Sequence, residues 1–180
     1  MIVEDNSFNR LNPGRHQHGL AVPPRKSEDG GKDAVVHFEK ISIKPYNPQL
    51  GKPLAINATI KVDQEIPEGS FSSLRIQKLG RIFGIPLPVP CIAGYGSCKS
   101  DLCEIFKQGA TCQFLENIGA TCECPLKAGK YESNEGKTID LPTASGLGGV
   151  IARGGYRIQW KWLSPNGTEL SCFKGEITLK

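Results

Sequence analysis

The segment Gly155–Leu179, GYRIQWKWLSPNGTELSCFKGEITL, decides how the rest of the chain is read. Tyr156, Ile158, Trp160 and Trp162 alternate with Arg157, Gln159 and Lys161. That period of two marks a strand with one apolar face. Ser164-Pro-Asn-Gly167 is turn chemistry. Glu169–Leu179 then returns with Phe173, Ile177 and Leu179 on one face. The pattern predicts an antiparallel hairpin.

The same signature recurs upstream. In 54–63, Leu54, Ile56, Ala58, Ile60 and Val62 fall on one face, and Ala55, Asn57, Thr59, Lys61 and Asp63 on the other. Val35–Lys44 reads as a first strand, broken by Pro45-Tyr-Asn-Pro48. Residues 70–79 form another, with Leu74 and Ile76 on one face. Residues 81–90, RIFGIPLPVP, differ: prolines 86, 88 and 90 exclude both helix and central strand, yet the segment is apolar. It is read as an apolar loop outside the ladder. A Gly-rich loop at 139–154 carries Leu147, Val150 and Ile151 at its tip. Ser100–Gln108 fits a short helix, with Ser100 as N-cap and Leu102, Ile105 and Phe106 on one face. Seven or eight short strands and one helix predict an all-β fold, an antiparallel immunoglobulin-like β-sandwich or cup.

Composition agrees. The 180 residues suffice for one domain, and 21 glycines and 13 prolines suit short strands joined by turns. Residues 1–33 are polar and are read as a disordered arm ahead of a domain at 34–180. His16 and His18 in that arm could ligate a metal, but a solvated tail accounts for them. The net charge is +4, with both signs interleaved, which argues against nucleic-acid binding. No stretch of 18 apolar residues occurs, and residues 1–30 hold no apolar run of secretory-signal type.

The seven cysteines sit at 91, 98, 103, 112, 122, 124 and 172. The first six are separated by 6, 4, 8, 9 and 1 residues, and all three histidines lie far upstream. Zinc sites favour pairs two to four residues apart with nearby His, so a disulfide framework is the better reading, and no metal is expected. Disulfides place the chain in the secretory pathway, lysosomal or extracellular. Sequons at Asn57 and Asn166 agree, one on a polar strand face and one in a turn. Nothing resembles a nucleophile elbow, phosphate loop or zinc-protease helix, and no cofactor is implied. The chain is read as non-enzymatic.

The run Pro90-Cys91, Gly96-Ser-Cys98, Cys103, Cys112, Cys122-Glu-Cys124-Pro125, then Lys127-Ala-Gly-Lys-Tyr131, resembles the ML family of lipid-recognition domains, in particular its ganglioside-activator branch. The resemblance spans roughly 31–180 and includes Gly155-Tyr-Arg-Ile158 and Leu170-Ser-Cys172. It implies a β-cup with an apolar cavity, for which Leu74, Ile76, Ile158, Trp160 and Trp162 are the candidate lining. It also implies bridges Cys91–Cys98, Cys103–Cys124 and Cys112–Cys122. The family's remaining bridge ties an N-terminal cysteine to the last one. Glu28 stands near that position, which leaves Cys172 a free thiol. The family's membrane-contact loops align with Ile82, Phe83, Ile85, Leu87 and Val89, and with Leu147, Val150 and Ile151. The implied ligand is a glycosphingolipid or phospholipid, taken up in transient contact with a membrane. In the activator branch a ganglioside is presented to a lysosomal β-hexosaminidase. The alternative is a secreted lipid binder in signalling, transport or defence with no hydrolase partner.

Overall fold

The structure, a computed structural model, describes residues 34–80, 85–133, 136–143 and 153–180. Among the described residues nine strands form two antiparallel sheets. In the first, β1 (Val36–Lys44) pairs with β2 (Pro53–Val62). The other edge of β2 takes β6 (Gly129–Glu132) and β7 (Ile139–Asp140). The second sheet runs β4-β3-β8-β9: Pro86–Pro88, Phe71–Leu79, Gly154–Leu163 and Glu169–Leu179, with β5 (Lys99–Asp101) also on β3. The hairpin of Tyr156–Leu179 is thus the longest ladder of the fold.

Apolar alternation sets which faces meet. Val36, Phe38, Ala58, Ile60 and Val62 from the first sheet pack with Trp162 and Leu170 from the second. Two helices close this end of the sandwich: α1 (Leu102–Phe106) and α2 (Gly109–Asn117) add Leu102, Phe106 and Leu115 to the same cluster. A smaller cluster of Ile76, Val89 and Tyr156 lies further along β3 and β8.

Three expectations need correction. The Pro-rich segment does enter a ladder, since Pro86, Leu87 and Pro88 stand opposite Leu79, Lys78 and Gln77. It does so as an edge strand, where a proline nitrogen can face away from the partner. Ser100 is not a helix cap but lies in β5 opposite Ser72; Asp101 caps α1, its Oδ1 accepting the Glu104 N–H at 3.0 Å. There are two helices in the disulfide-bonded segment rather than one. The second opens at Gly109 without a side-chain cap, so it lacks the usual start signal. Cys122 and Cys124 lie in an irregular segment, not a strand.

Three disulfides fasten this end. Cys91–Cys98 closes a loop beside β3, Cys103–Cys124 joins α1 to the segment after α2, and Cys112–Cys122 joins that segment to α2. Their Cα separations are 4.9, 5.6 and 5.0 Å, within the normal range. Cys172 is a free, buried thiol opposite Lys161, and its sulfur accepts a 3.7 Å bond from Gln159 Nε2.

Candidate functional site

The strands that bound the space between the sheets all end together. Lys44 and Pro53, Leu79 and Pro86, and Asp140 and Gly154 flank three connections at one end, opposite the helices. This end is the rim. Tyr46, Ile85 and Leu87 are the large apolar side chains exposed there, at 68%, 63% and 59%. Ile82, Phe83, Leu147, Val150 and Ile151 lie outside the described residues. Val89 does not belong with the exposed set: it is buried against Ile76 and Tyr156, and its N–H bonds the Ile76 carbonyl at 2.9 Å. The hydrogen bond to β3 turns this last apolar residue of the segment inward.

Behind the rim the inner faces of both sheets are apolar. Cross-strand register puts Ile43 beside Ile56 and Ile41 beside Ala58 on the inner face of the first sheet. On the inner face of the second it puts Leu74 beside Trp160, Ile76 beside Ile158, Trp160 beside Phe173, and Tyr156 beside Ile177. These are mid-strand apolar positions, which full burial would favour by about 1.5–3 kcal/mol each. Yet Ile41, Ile43, Ile56, Leu74, Ile158, Trp160, Phe173 and Ile177 are only partly buried. Ile41, Trp160 and Phe173 pack against the main cluster, and Leu74 and Ile177 against the smaller one, each leaving part of its surface uncovered. Gly175, inward-facing beside Ile158, leaves room for the Phe173 ring: a Cβ there would sit 3.1 Å from it.

Toward the helices the two layers bound an apolar slot. Phe38 and Ile60 line it from the first sheet, Trp160 and Trp162 from the second, and Phe106, Thr111, Phe114, Leu115 and Ile118 from the helical end. Leu126 and Tyr131 complete the wall. The slot's volume is about 10 Å³, room for about one water. Aromatic edges meet there: Trp160 and Trp162 at 5.4 Å, Phe106 and Trp162 at 5.5 Å. Burial pushes the Tyr131 phenol above the usual tyrosine range, and its hydroxyl donates to the Lys127 carbonyl at 2.8 Å. Trp160 Nε1 donates to Ser72 Oγ at 2.6 Å, which orients the indole.

Of the candidate lining, Trp160 and Trp162 line the slot, Ile76 lies in the smaller cluster with Leu74 packed against it, and Ile158 is half-buried on the inner face of β8. Ile41, Ile43, Ile56 and Phe173 are not among the candidate lining, although the alternation places Ile56 and Phe173 on the apolar faces of their strands. The first-strand alternation carried the signal for the two β1 residues, but register with β2 was needed to show which face was internal. Chemically, the lining offers apolar and aromatic contact. Cys112, Glu116 and Cys122 lie close together, but both sulfurs are spent in a disulfide, so they make no metal site. Asn57 is partly buried on the outer face of β2 opposite Ser42. Asn166 is exposed in the β8–β9 turn, where its Oδ1 accepts from Thr168 Oγ1 at 2.9 Å.

A family model described as ML domain matches residues 27–179. Two similar curated proteins are both named phosphatidylglycerol/phosphatidylinositol transfer protein. The one from Pyricularia oryzae is 28% identical over 155 residues, covering 86% of this chain and 70% of that protein. The one from Mycosarcoma maydis is 27% identical over 146 residues, covering 81% and 61%. This chain therefore spans less than two thirds of the second relative's length. A solved structure of a Niemann-Pick type C2 protein from the Japanese carpenter ant aligns with a TM-score of 0.45 at 16% identity, over 86% of this chain and 98% of that one.

Proposed function

Since the chain belongs to the ML domain family, we propose that it carries a single phospholipid, its acyl chains in the cleft between the sheets and its headgroup at the rim. One observation carries this: eight inward-facing apolar side chains on two facing sheets keep exposed surface in mid-strand. Leaving them wet costs free energy that an acyl chain would recover, at roughly 0.8 kcal/mol per methylene transferred from water. The names of the two relatives favour a phospholipid. Ganglioside presentation to a hexosaminidase rests on the cysteine pattern alone.

Exposed Ile85, Leu87 and Tyr46 at the rim support docking there, with apolar side chains in the interfacial layer while the lipid transfers. The disulfides support an oxidising compartment, secreted or lumenal. The role needs no bond-making. The cleft matches an acyl chain in polarity, and the rim shortens its path through water.

Native mass spectrometry of the purified protein, with lipid extraction, tests the reading. A 1:1 adduct with a phospholipid mass supports it, and a glycosphingolipid mass would move it to the activator branch. Protein that stays unliganded after incubation with phosphatidylglycerol and phosphatidylinositol vesicles would overturn it.

A further inference from the structure

From the helical end to the rim, the inner face of β3 reads Ser72, Leu74, Ile76 and Lys78. Among the described residues, Lys78 is the one charged residue at an inner-face ladder position of either sheet. It stands at the rim end, opposite buried Tyr156 on β8 and exposed Leu87 on β4. The residue is half-buried. Its ammonium sits 5.9 Å from the centre of the Tyr156 ring. Its stem leans toward the rim, since a Cβ on Gly154 would stand 3.4 Å from Lys78 Cε.

A lysine that covers an apolar cluster with its stem needs no ligand. Two observations go further. None of the ion pairs among the described residues includes Lys78. The connections at the same end, 45–52, 80–85 and 141–153, hold no aspartate or glutamate in sequence. Asp140, just before the last of them, falls on the outer face of the first sheet, opposite Pro53. An anion arriving at the rim therefore meets a cation that these connections do not neutralise.

Depth fits a phospholipid. A strand rises about 3.3 Å per residue, so the row of Leu74 and Trp160 lies about 13 Å below Lys78, and the row of Ser72 and Trp162 about 20 Å below. A bilayer's hydrocarbon core of about 30 Å gives the chains of each leaflet about 15 Å. With its phosphate at Lys78, a phospholipid would end its acyl chains between the two tryptophans.

We propose that Lys78 selects the headgroup: its ammonium takes the phosphate of a phospholipid with net negative charge, in preference to a zwitterionic one. In the zwitterionic headgroup a second cation offsets the phosphate and faces the ammonium with like charge. This rests on the phospholipid-carrier reading and adds to it a residue and a headgroup class.

The test is lipid uptake by the full-length protein from vesicles of equal parts phosphatidylglycerol and phosphatidylcholine. The vesicles are then removed and the carried lipid is identified by mass spectrometry, so that adhesion to an anionic surface does not count. Wild type should carry phosphatidylglycerol over phosphatidylcholine by about tenfold or more. Lys78→Met keeps the stem and loses the charge; it should carry both lipids without preference, while Lys78→Arg keeps the preference. The melting temperature of Lys78→Met should stay within about 4 °C of wild type. A Lys78→Met protein that still prefers phosphatidylglycerol, or a wild type without preference, would overturn the assignment and leave the carrier reading standing. Loss of folding in both Lys78→Met and Lys78→Gln would make the lysine a structural cap and overturn the assignment as well. Wild type that carries neither lipid would overturn both.

Discussion

Phe38 on β1 and Phe173 on β9 meet edge to face, ring centroids 5.7 Å apart, across the side of the sandwich where the sheets' edge strands face each other. Among the described residues these strands share no ladder. Backbone bonds tie the seam at its two ends, Val35 N–H to the Leu170 carbonyl and Lys180 N–H to the Pro48 carbonyl, both at 3.0 Å. Between them side chains hold it. Phe38 also packs edge to face on Trp162 at 6.1 Å.

Phe38→Ala should therefore destabilise the fold by about 3–5 kcal/mol, the usual cost of truncating a buried phenylalanine. Urea unfolding measures it. A loss under about 1 kcal/mol would show that the seam closes without the ring.

The rim residues separate by burial. Ile85→Asp with Leu87→Asp should lower vesicle binding on the order of a hundredfold while unfolding changes little, because both side chains are already exposed. Val89→Asp, two residues on, should instead unfold the protein or cost more than about 3 kcal/mol, since Val89 is 6% exposed and a carboxylate there has nothing to solvate it. Circular dichroism melts beside vesicle sedimentation would distinguish them. Equal effects of the two substitutions on folding would contradict the placement.

Filling the cleft should block the ligand without harming the fold. Ile158→Trp adds apolar volume at a half-buried position on the inner face, so stability should hold or rise while lipid uptake falls. A marked drop in melting temperature would mean that the space beside Ile158 is already packed.

These contrasts mark what could be read from sequence. The alternation in 54–62 and 156–162 named the inner faces correctly, because a period of two fixes a face whatever the partner. The hairpin ends were legible for the same reason, with Ser164–Gly167 supplying the turn. Val89 was not legible, because its burial depends on an edge ladder with β3 that three nearby prolines disfavour. Helix α2 was hidden by Gly109 at its start and by cysteines whose packing only the disulfides reveal. The difference in burial was invisible to pattern alone: Ile158 and Ile60 look alike in sequence, yet one is half-buried and the other buried.

On the outer face, the Lys61 hydrogen bond holds the Asp63 carboxyl below the usual aspartate range, with His37 Nε2 also 2.9 Å from Oδ2. A depressed folded value means stability present above the unfolded pKa, about 3.9. It is lost as pH falls through the lower folded value. Acidification from pH 7 to 5 should leave this contribution intact, and Asp63→Asn should remove it. Equal melting temperatures for wild type and variant at pH 6 would show that the exposed cluster adds nothing measurable.

The central claim is that acyl chains lie between the sheets, and the chain's own fluorophores report on that space. Its two tryptophans, Trp160 and Trp162, both line the interior slot. Phosphatidylglycerol brominated near the acyl terminus should quench their fluorescence, saturating at one lipid per protein, and Ile158→Trp should abolish saturation at that stoichiometry. Lipid bound to the protein with tryptophan emission unquenched would place the chains elsewhere and contradict the account.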